Sequence, residues 1–539
     1  MATEGEQYNI GYLCTRHQIN LGLGNKTALR WISPSLERTD FSFTDLETQS
    51  NRAANLLLSL NCRESDPIFI FLPKMPEQFF IVLGILKIKA IACVLFPNFG
   101  PEALLDRMAD ARPVCVITRK SLLRRVLDVL PEIPSIKQIL VVDIDEHLSP
   151  VVLSYRKLIH QSGSEFEVPL TPEQTPSVLH YTSGSTGKPK GVLHIHRSVA
   201  TQKQTMIEVL GIKEEDIFWC TADLGWVTGI SYGVIGPWVL GITQVQFGGG
   251  FDARTWMTIL EKEGVTVWYT APTALRMMRM EDKSLYSSFN IPRLRSIFSV
   301  GEPLNPEVIH WAENHLHRTI YDTWFQTETG SILIANHPGQ AVKPGSMGTP
   351  IDGLEVQIMG EDGSILPTGE RGNLCIKPGW PSMFIDYLNH TDIYASKFRY
   401  GYYFTGDTAY CDPDGYYWFT GRSDDVINTA GHLISPFEIE SGLIEVEEIV
   451  EAGVIGAPDD ILYEKVVAYI RLKKDVSWSK DLELKIRIHI GNRLSSIAIP
   501  QEFRIVEFVP KNKSGKIMRR VLKAWYLGID AGDLSTMEE

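Results

Sequence analysis

A chain of 539 residues is too long for one ordinary core, and 44% hydrophobic with 22% charged residues is a normal globular balance, so two or more domains are expected. The 52 Lys and Arg against 65 Asp and Glu leave a formal net charge of −13, which excludes a broad surface for a polyanion such as nucleic acid but not local basic pockets for small anions. Seven cysteines, odd in number and without a C-x-x-C pair, indicate neither a zinc site nor a disulfide framework and suit a reducing cytoplasm.

The first residues, "MATEGEQYNI", contain acidic groups and no apolar core, so no secretory signal is expected. Apolar strands then alternate with helical patterns: "PIFIFL", "ACVLFP", "VCVIT" and "QILVVD", later "VTVWYT", "RSIFSV" and "TIYDTW", the mark of parallel α/β sheets. "FFIVLGILKIKAIACVLF", although interrupted by Lys87 and Lys89, predicts a core helix running toward a buried strand. "YTSGSTGKPKGV" (181–192) lies between two short apolar strands, "SVLHYT" and "GVLHIH". Its glycines let backbone N–H groups turn toward an anion, its hydroxyls add donors, and Lys188 and Lys190 add counter-charge. A kinase-type P-loop is excluded, because only two residues separate Gly184 from Gly187 and Pro189 stands where a metal-binding hydroxyl is required.

From Leu224 to Phe251 the chain carries no charge, but eight glycines and Pro237 argue against a membrane span and for the wall of a buried apolar pocket. Between about Gly345 and Phe419 short strands and turn signals predict a small β-rich unit. After "GRSDD" a helix, two strands, a long helix, a last strand and the basic segment "PKNKSGKIMRR" predict a compact α+β unit, and "GDLSTMEE" a frayed acidic tail. The expected fold class is α/β: a large N-terminal domain (1–423) of two α/β subdomains plus the β-rich unit, then a small, mobile α+β domain (424–539).

Together with the 181–192 loop and "PKNKSGKIMRR", the stretches "TAPTALR", "VGEPLNP", "YDTWFQTETG", "YYFTGD" and "GRSDDVINTAGH" resemble, in order, the AMP-forming acyl-CoA synthetases of the adenylate-forming superfamily. The resemblance implies that a carboxylate attacks the α-phosphate of ATP to give an acyl-adenylate and pyrophosphate, after which the CoA thiol displaces AMP. Two anions meet in the first step, so cations and oriented dipoles should dominate such a site. On this resemblance Thr182, Ser183, Gly184, Ser185, Thr186, Gly187, Lys188 and Lys190 cradle the β- and γ-phosphates, and Glu328, with the Thr182 hydroxyl, holds Mg²⁺. Gly301, Glu302, Pro303 and the backbone of Asp322, Thr323 and Trp324 form the adenine slot, with Thr327 beside the nucleotide. Asp407 takes the ribose hydroxyls and Arg422 the ribose or phosphate. Lys516 serves the adenylation step, and the C-terminal domain then swings about Asp424 to bring the backbone near Gly431 to the CoA pantetheine tunnel. A lysine acetyltransferase and deacetylase acting on Lys516 would switch that step.

The acyl pocket implied by the resemblance is walled by Trp226, Val227, Thr228, Gly229, Val300 and Phe325. Enzymes for longer acids resemble one another in having glycine at the last position and acetate enzymes in having tryptophan. The phenylalanine here, with "GWVTG" and "YTAPTALR" close to the acetate form, points to acetate or a slightly larger acid as substrate. Leu433 stands where acetate enzymes carry arginine, and the short N-terminus leaves the adenosine end of CoA without assigned contacts. A medium-chain synthetase is the nearest rival. An amino-acid adenylation domain would need an aspartate inside the pocket, and Asp223 lies ahead of the wall; a non-enzymatic regulator would not be expected to retain Lys516 and Glu328. The chemistry is reversible, so the enzyme could also run toward ATP.

Overall fold

The computed structural model describes residues 7–182, 189–422, 425–429, 432–459, 462–512, 515–532, 534 and 537. Among these residues four sheets form. The first has eight strands, in the order Asp386–Tyr387, Lys190–Ile195, Pro176–Thr182, Ile91–Val94, Pro67–Phe71, Cys115–Thr118, Gln138–Val141 and Val152–Ser154. It is parallel except where Lys190–Ile195 pairs with its two neighbours. The second has nine, with six parallel strands, Ile320–Trp324, Ser296–Val300, Val267–Thr270, Ile217–Cys220, Thr243–Phe247 and Thr27–Ile32, flanked by antiparallel edges. Strands buried on both faces read as continuous apolar runs, which is why the alternation of runs and helices was legible as parallel α/β structure.

One core joins the two sheets. Ala28 and Leu29 of the nine-stranded sheet and Ile68 and Ile70 of the eight-stranded one are continuous with Phe43, Leu46, Phe79 and Leu83 of the helices Phe43–Ser59 and Pro76–Lys87. Lys87 does not interrupt this core, because its buried ammonium donates to Glu47 Oε2 (2.6 Å) and Asn51 Oδ1 (2.7 Å). Burying a charge is tolerable only when it is paired in this way.

The β-rich unit is less separate than the turn signals suggest. Val356–Met359, Gly372–Ile376, Phe398–Arg399, Tyr402–Cys411 and Tyr417–Arg422 form an antiparallel sheet of their own, but Thr349–Pro350 and Asp386–Tyr387 leave it to edge the two large sheets. The uncharged stretch 224–251 is broken into the helix Val227–Ile230, a π-helical turn Ser231–Ile235, the helix Gly236–Val239 and the strand Thr243–Phe247. No helix among the described residues is long and apolar enough to cross a membrane.

The last sheet pairs Ile449–Asp459 with Tyr463–Leu472 and carries the helices Pro436–Ile444 and Lys480–Arg493 over a separate core around Ile439, Leu443, Val454 and Ile486. Ser435 caps the first of these helices by accepting from Glu438 N, and Pro436 fills its first turn, where no backbone donor is needed. The basic segment ends in a further helix, Arg519–Leu527 ("RRVLKAWYL"), packed through Val521 and Leu522.

Candidate active site

A cavity of about 1220 Å³ opens at the carboxyl ends of the parallel strands and is closed on one side by the last sheet's unit. Thr182 and Lys190 face each other across paired strands and both line it. Ser183, Gly184, Ser185, Thr186, Gly187 and Lys188 between them lie outside the described residues, as do Asp424 and Gly431.

The turn after the strand Ile320–Trp324 carries Thr327 and Glu328, and its backbone is caged. Thr327 O accepts from His194 Nε2 (2.8 Å), Glu328 O from Phe384 N (3.0 Å), Thr329 O from Trp380 Nε1 (3.0 Å) and Ser382 Oγ (2.7 Å), and Gly330 O from Ser231 Oγ (2.7 Å). Burial pushes His194 down to about 4, so its ring is neutral and its Nε2 carries the donated proton. Gly330 has φ +72°, and a Cβ there would overlap Ser382 O. With its backbone fixed, the turn aims Glu328 at the cavity, where Oε1 accepts from Tyr387 OH (2.7 Å).

Asp407 is buried at 5% exposure and fully engaged. Its Oδ2 accepts from Trp324 Nε1 (3.0 Å) and Gln326 Nε2 (2.8 Å), and its Oδ1 from Arg422 Nη1 (3.0 Å) across paired strands. Gln326 is held in turn by Tyr403 OH, which donates to its Oε1 (3.1 Å). Asp322 lies deeper. Burial pushes its carboxyl up to about 7, and its Oδ1 accepts from Ser299 Oγ (2.5 Å). The Thr323 hydroxyl donates to Ser299 O (2.7 Å) and meets Tyr269 OH (2.7 Å), so both side chains serve the core, leaving the backbone to the cavity.

Gly301 (φ +95°), Glu302 and Pro303 line the cavity beside this strand. The Glu302 carboxylate turns away to the helix Pro272–Arg279, accepting from Thr273 N (3.1 Å), Thr273 Oγ1 (2.5 Å) and Arg276. Trp226, Val227, Thr228, Val300 and Phe325 line the apolar end. Gly229 stands behind that wall, where a Cβ would overlap the Asp223 carbonyl, so its part is close packing. Asp223 does reach the cavity, with Oδ1 accepting from Gly225 N (2.8 Å).

Lys516 enters from the last sheet's unit. Its N–H donates to Asn512 Oδ1 (2.9 Å) and its carbonyl accepts from Asn512 N (2.9 Å), which turns the side chain into the cavity. Lys516 is exposed to the open cavity; desolvation by the surrounding walls, with Arg422 nearby, lowers the pKa of its amine, while Asp407 and Asp425 work the other way. The neighbouring Gly515 has φ +86° and lies against Thr273 and Glu302 so closely that a Cβ would overlap both. Further contacts across this boundary are Asn305 Nδ2 to Ser441 Oγ (2.9 Å) and Arg371 to Glu438 (2.9 Å).

Gln326, Tyr387, Tyr403, His194 and Ser231 hold this geometry and were not singled out from the sequence. Gln326 and Tyr403 stand inside quoted motifs, whereas His194 and Ser231 act through partners more than 90 positions away and leave no local signal.

The profile described as "AMP-binding enzyme" matches residues 18–388, and that described as "AMP-binding enzyme C-terminal domain" matches 438–516. The chain is 44% identical to the acetyl-coenzyme A synthetase of Bacillus subtilis (strain 168), covering 96% of this chain and 90% of that protein. It is 38% identical to the acetyl-coenzyme A synthetase of Methanothrix thermoacetophila, covering 99% and 85%. Among solved structures it is similar to an acyl-CoA synthetase of Brucella canis (31% identity, TM-score 0.76, 98% of this chain and 96% of that one). An anthranilate CoA ligase in complex with anthranoyl-AMP matches at 27% identity and TM-score 0.88, over 96% and 97%.

Proposed function

The chain belongs to the AMP-binding enzymes, and we propose that it joins acetate to coenzyme A at the expense of ATP, by way of acetyl-adenylate, with release of pyrophosphate and then AMP. The observation that carries the reading is one cavity lined together by Lys516, Glu328, Asp407 and Arg422, with Phe325 in its apolar wall. The printed names of the relatives support the choice of acid.

In the first step a carboxylate oxygen bonds to the α-phosphorus and the bond to the pyrophosphate oxygen breaks. We assign Lys516 to charge developing on the bridging oxygen, Thr182 and Lys190 to the phosphates, Asp407 to the ribose hydroxyls, and Arg422 to the ribose or phosphate. Gly301, Pro303 and the backbone at Asp322, Thr323 and Trp324 form the adenine slot, with Thr327 beside it. Asp407 can take a hydroxyl donor without moving, because Trp324, Gln326 and Arg422 already fix both its oxygens.

Mg²⁺ fits the donor set. Glu328 offers a carboxylate braced by Tyr387, and among the described residues no three acidic, histidine or cysteine side chains form a cage, so a hard cation would complete its shell with phosphate and water oxygens. Bound there, it would neutralise phosphate charge and orient the leaving group. In the second step the CoA sulfur bonds to the acyl carbon and the bond to AMP breaks. Lys516 has no part in it, so the C-terminal unit, residues 424–539, is free to turn about Asp424 and bring Gly431 to the CoA tunnel.

Seven free thiols, six of them buried, suit a reducing cytoplasm. Acetylation of Lys516 by a lysine acetyltransferase would remove the needed charge, and a deacetylase would restore it. The test is pyrophosphate release with ATP and straight-chain acids from acetate to octanoate, followed by thioester formation with CoA. Acetate is expected to have the highest kcat/KM, and release with no acid at all would overturn the reading.

A further inference from the structure

We propose that Tyr232, which never reaches the cavity, sets the depth of the acyl slot by backing Phe325; the inference rests on the acid-binding reading of that slot. Phe325 lines the cavity, and the Tyr232 ring stands directly behind it, edge-on, with centroids 5.7 Å apart and planes at 70°. Tyr232 is fully buried. How far the Phe325 ring can withdraw from an incoming acid is therefore decided by whether the ring behind it can move.

Three observations hold that ring still. Its hydroxyl meets Thr205 Oγ1 (2.8 Å) on the helix Val199–Glu208 and accepts from Ile332 N (2.8 Å). Its other face meets Tyr269 edge-on at 5.5 Å, and Tyr269 is itself fastened to Thr323 (2.7 Å) at the cavity floor. Finally, its backbone lies in the π-helical turn Ser231–Ile235, and the adjoining Ser231 is tied to Gly330 O (2.7 Å) and to Gln202 (3.1 Å). A π-helical turn is rare and is frequently found at functional sites. Here it points a tyrosine between the helix Val199–Glu208 and Phe325.

A close-packed interior resists such motion, since side chains sit in fixed rotamers with few voids. Phe325 is smaller than the tryptophan of the acetate enzymes that the sequence resembles, yet backed by Tyr232 it remains a firm stop. Replacing the backing ring by a smaller side chain opens space into which Phe325 can swing, and a longer acid can follow it.

The experiment measures kcat/KM for butanoate over acetate in the wild type, Tyr232→Leu, Tyr232→Phe, and Tyr232→Leu combined with Phe325→Gly. Tyr232→Leu is expected to raise the ratio at least about tenfold, in proportion to two methylenes at about fourfold each. Tyr232→Phe keeps the ring and should lower Tm while holding the ratio within about twofold. With Phe325→Gly in place the stop is already gone, so adding Tyr232→Leu should leave the ratio unchanged. If Tyr232→Leu does not fold, Tyr232→Met, which refills much of the volume with a chain that yields, carries the same test. An unchanged ratio in the folded Leu or Met variant overturns the inference. So does a shift of equal size in the Phe325→Gly background, which would mean that Tyr232 does not act through Phe325, or a shift in Tyr232→Phe as large as in Tyr232→Leu. Wild-type protein that releases pyrophosphate with no acid would be a different result, overturning the acid-activation reading and this inference with it.

Discussion

The two sides of the cavity are built to opposite specifications. On the side of the large sheets, four successive carbonyls, Thr327 to Gly330, are each held by a buried donor from another part of the chain, and both oxygens of Asp407 are fixed by side chains. On the other side Lys516 sits on a short loop turned by Asn512, and polar ties across the boundary among the described residues include Asn305 to Ser441, Arg371 to Glu438, and the meeting of Glu307 with Glu445. Networks of buried hydrogen bonds rigidify, whereas an exposed ion pair such as Arg371–Glu438 contributes little. One side holds geometry, and the domain rotation proposed above requires the other to leave once its step is done.

The largest expected effect tests this division directly. Lys516→Ala should slow acyl-adenylate formation by about 10²–10³-fold while sparing thioester formation from supplied acetyl-adenylate, since losing one preorganised charge donor costs about that much. Both half-reactions are measured separately, and an equal loss in each would erase the distinction between a holding and a leaving side.

Phe325→Gly probes the holding side. Four more methylenes gain room, each contributing about 0.8 kcal/mol, so the hexanoate-to-acetate ratio of kcat/KM should rise by about two orders of magnitude. A folded variant with an unchanged ratio would place the acyl chain elsewhere, leaving Phe325 as core packing against Tyr232.

Gly515→Ala acts at the boundary. A side chain there would strain a backbone at φ +86° and overlap Thr273 and Glu302, so Lys516 should dock less well and adenylation should fall about tenfold, a left-handed residue alone costing about 1–2 kcal/mol. Thioester formation should hold. Full adenylation activity would show that this loop docks differently during the reaction.

The smallest effect is a change of pH profile. Glu307, at the start of the helix Pro306–His315, is pushed up to about 7, first by burial and then by the Glu445 carboxylate, with Arg493 opposing; His489 and Arg493 both bond to Glu445. A carboxyl whose pKa rises on docking binds its proton more tightly in the docked state. Docking is thus favoured below the ordinary carboxylate range and loses that advantage as pH climbs from about 4.5 through about 7. Glu307→Gln should flatten the adenylation rate over this window by a few-fold, read from a pH series of pyrophosphate release, whereas a profile identical to wild type would mean that this pair does not govern docking.

The sequence by itself determined the elements and the chemistry. Continuous apolar runs between helices announce parallel strands, and glycines, hydroxyls and lysines clustered in "YTSGSTGKPKGV" set the expectation of an anion loop, because burial pattern and donor chemistry are local properties of the chain. Only the tertiary structure decided what those residues rest on. The strand Thr27–Ile32 pairs in parallel with Thr243–Phe247, some two hundred positions later, Asp386–Tyr387 crosses from the β-rich region to brace Glu328, and His194 and Ser231 hold a turn distant from them in sequence. That the side chains of Asp322 and Thr323 are spent on Ser299 and Tyr269 is likewise decided by partners remote from the motif. The basic segment runs into the helix Arg519–Leu527, which packs through Val521 and Leu522. In each case the outcome depends on which donor or apolar face arrives from elsewhere in the chain, and no local pattern of residues encodes that arrival.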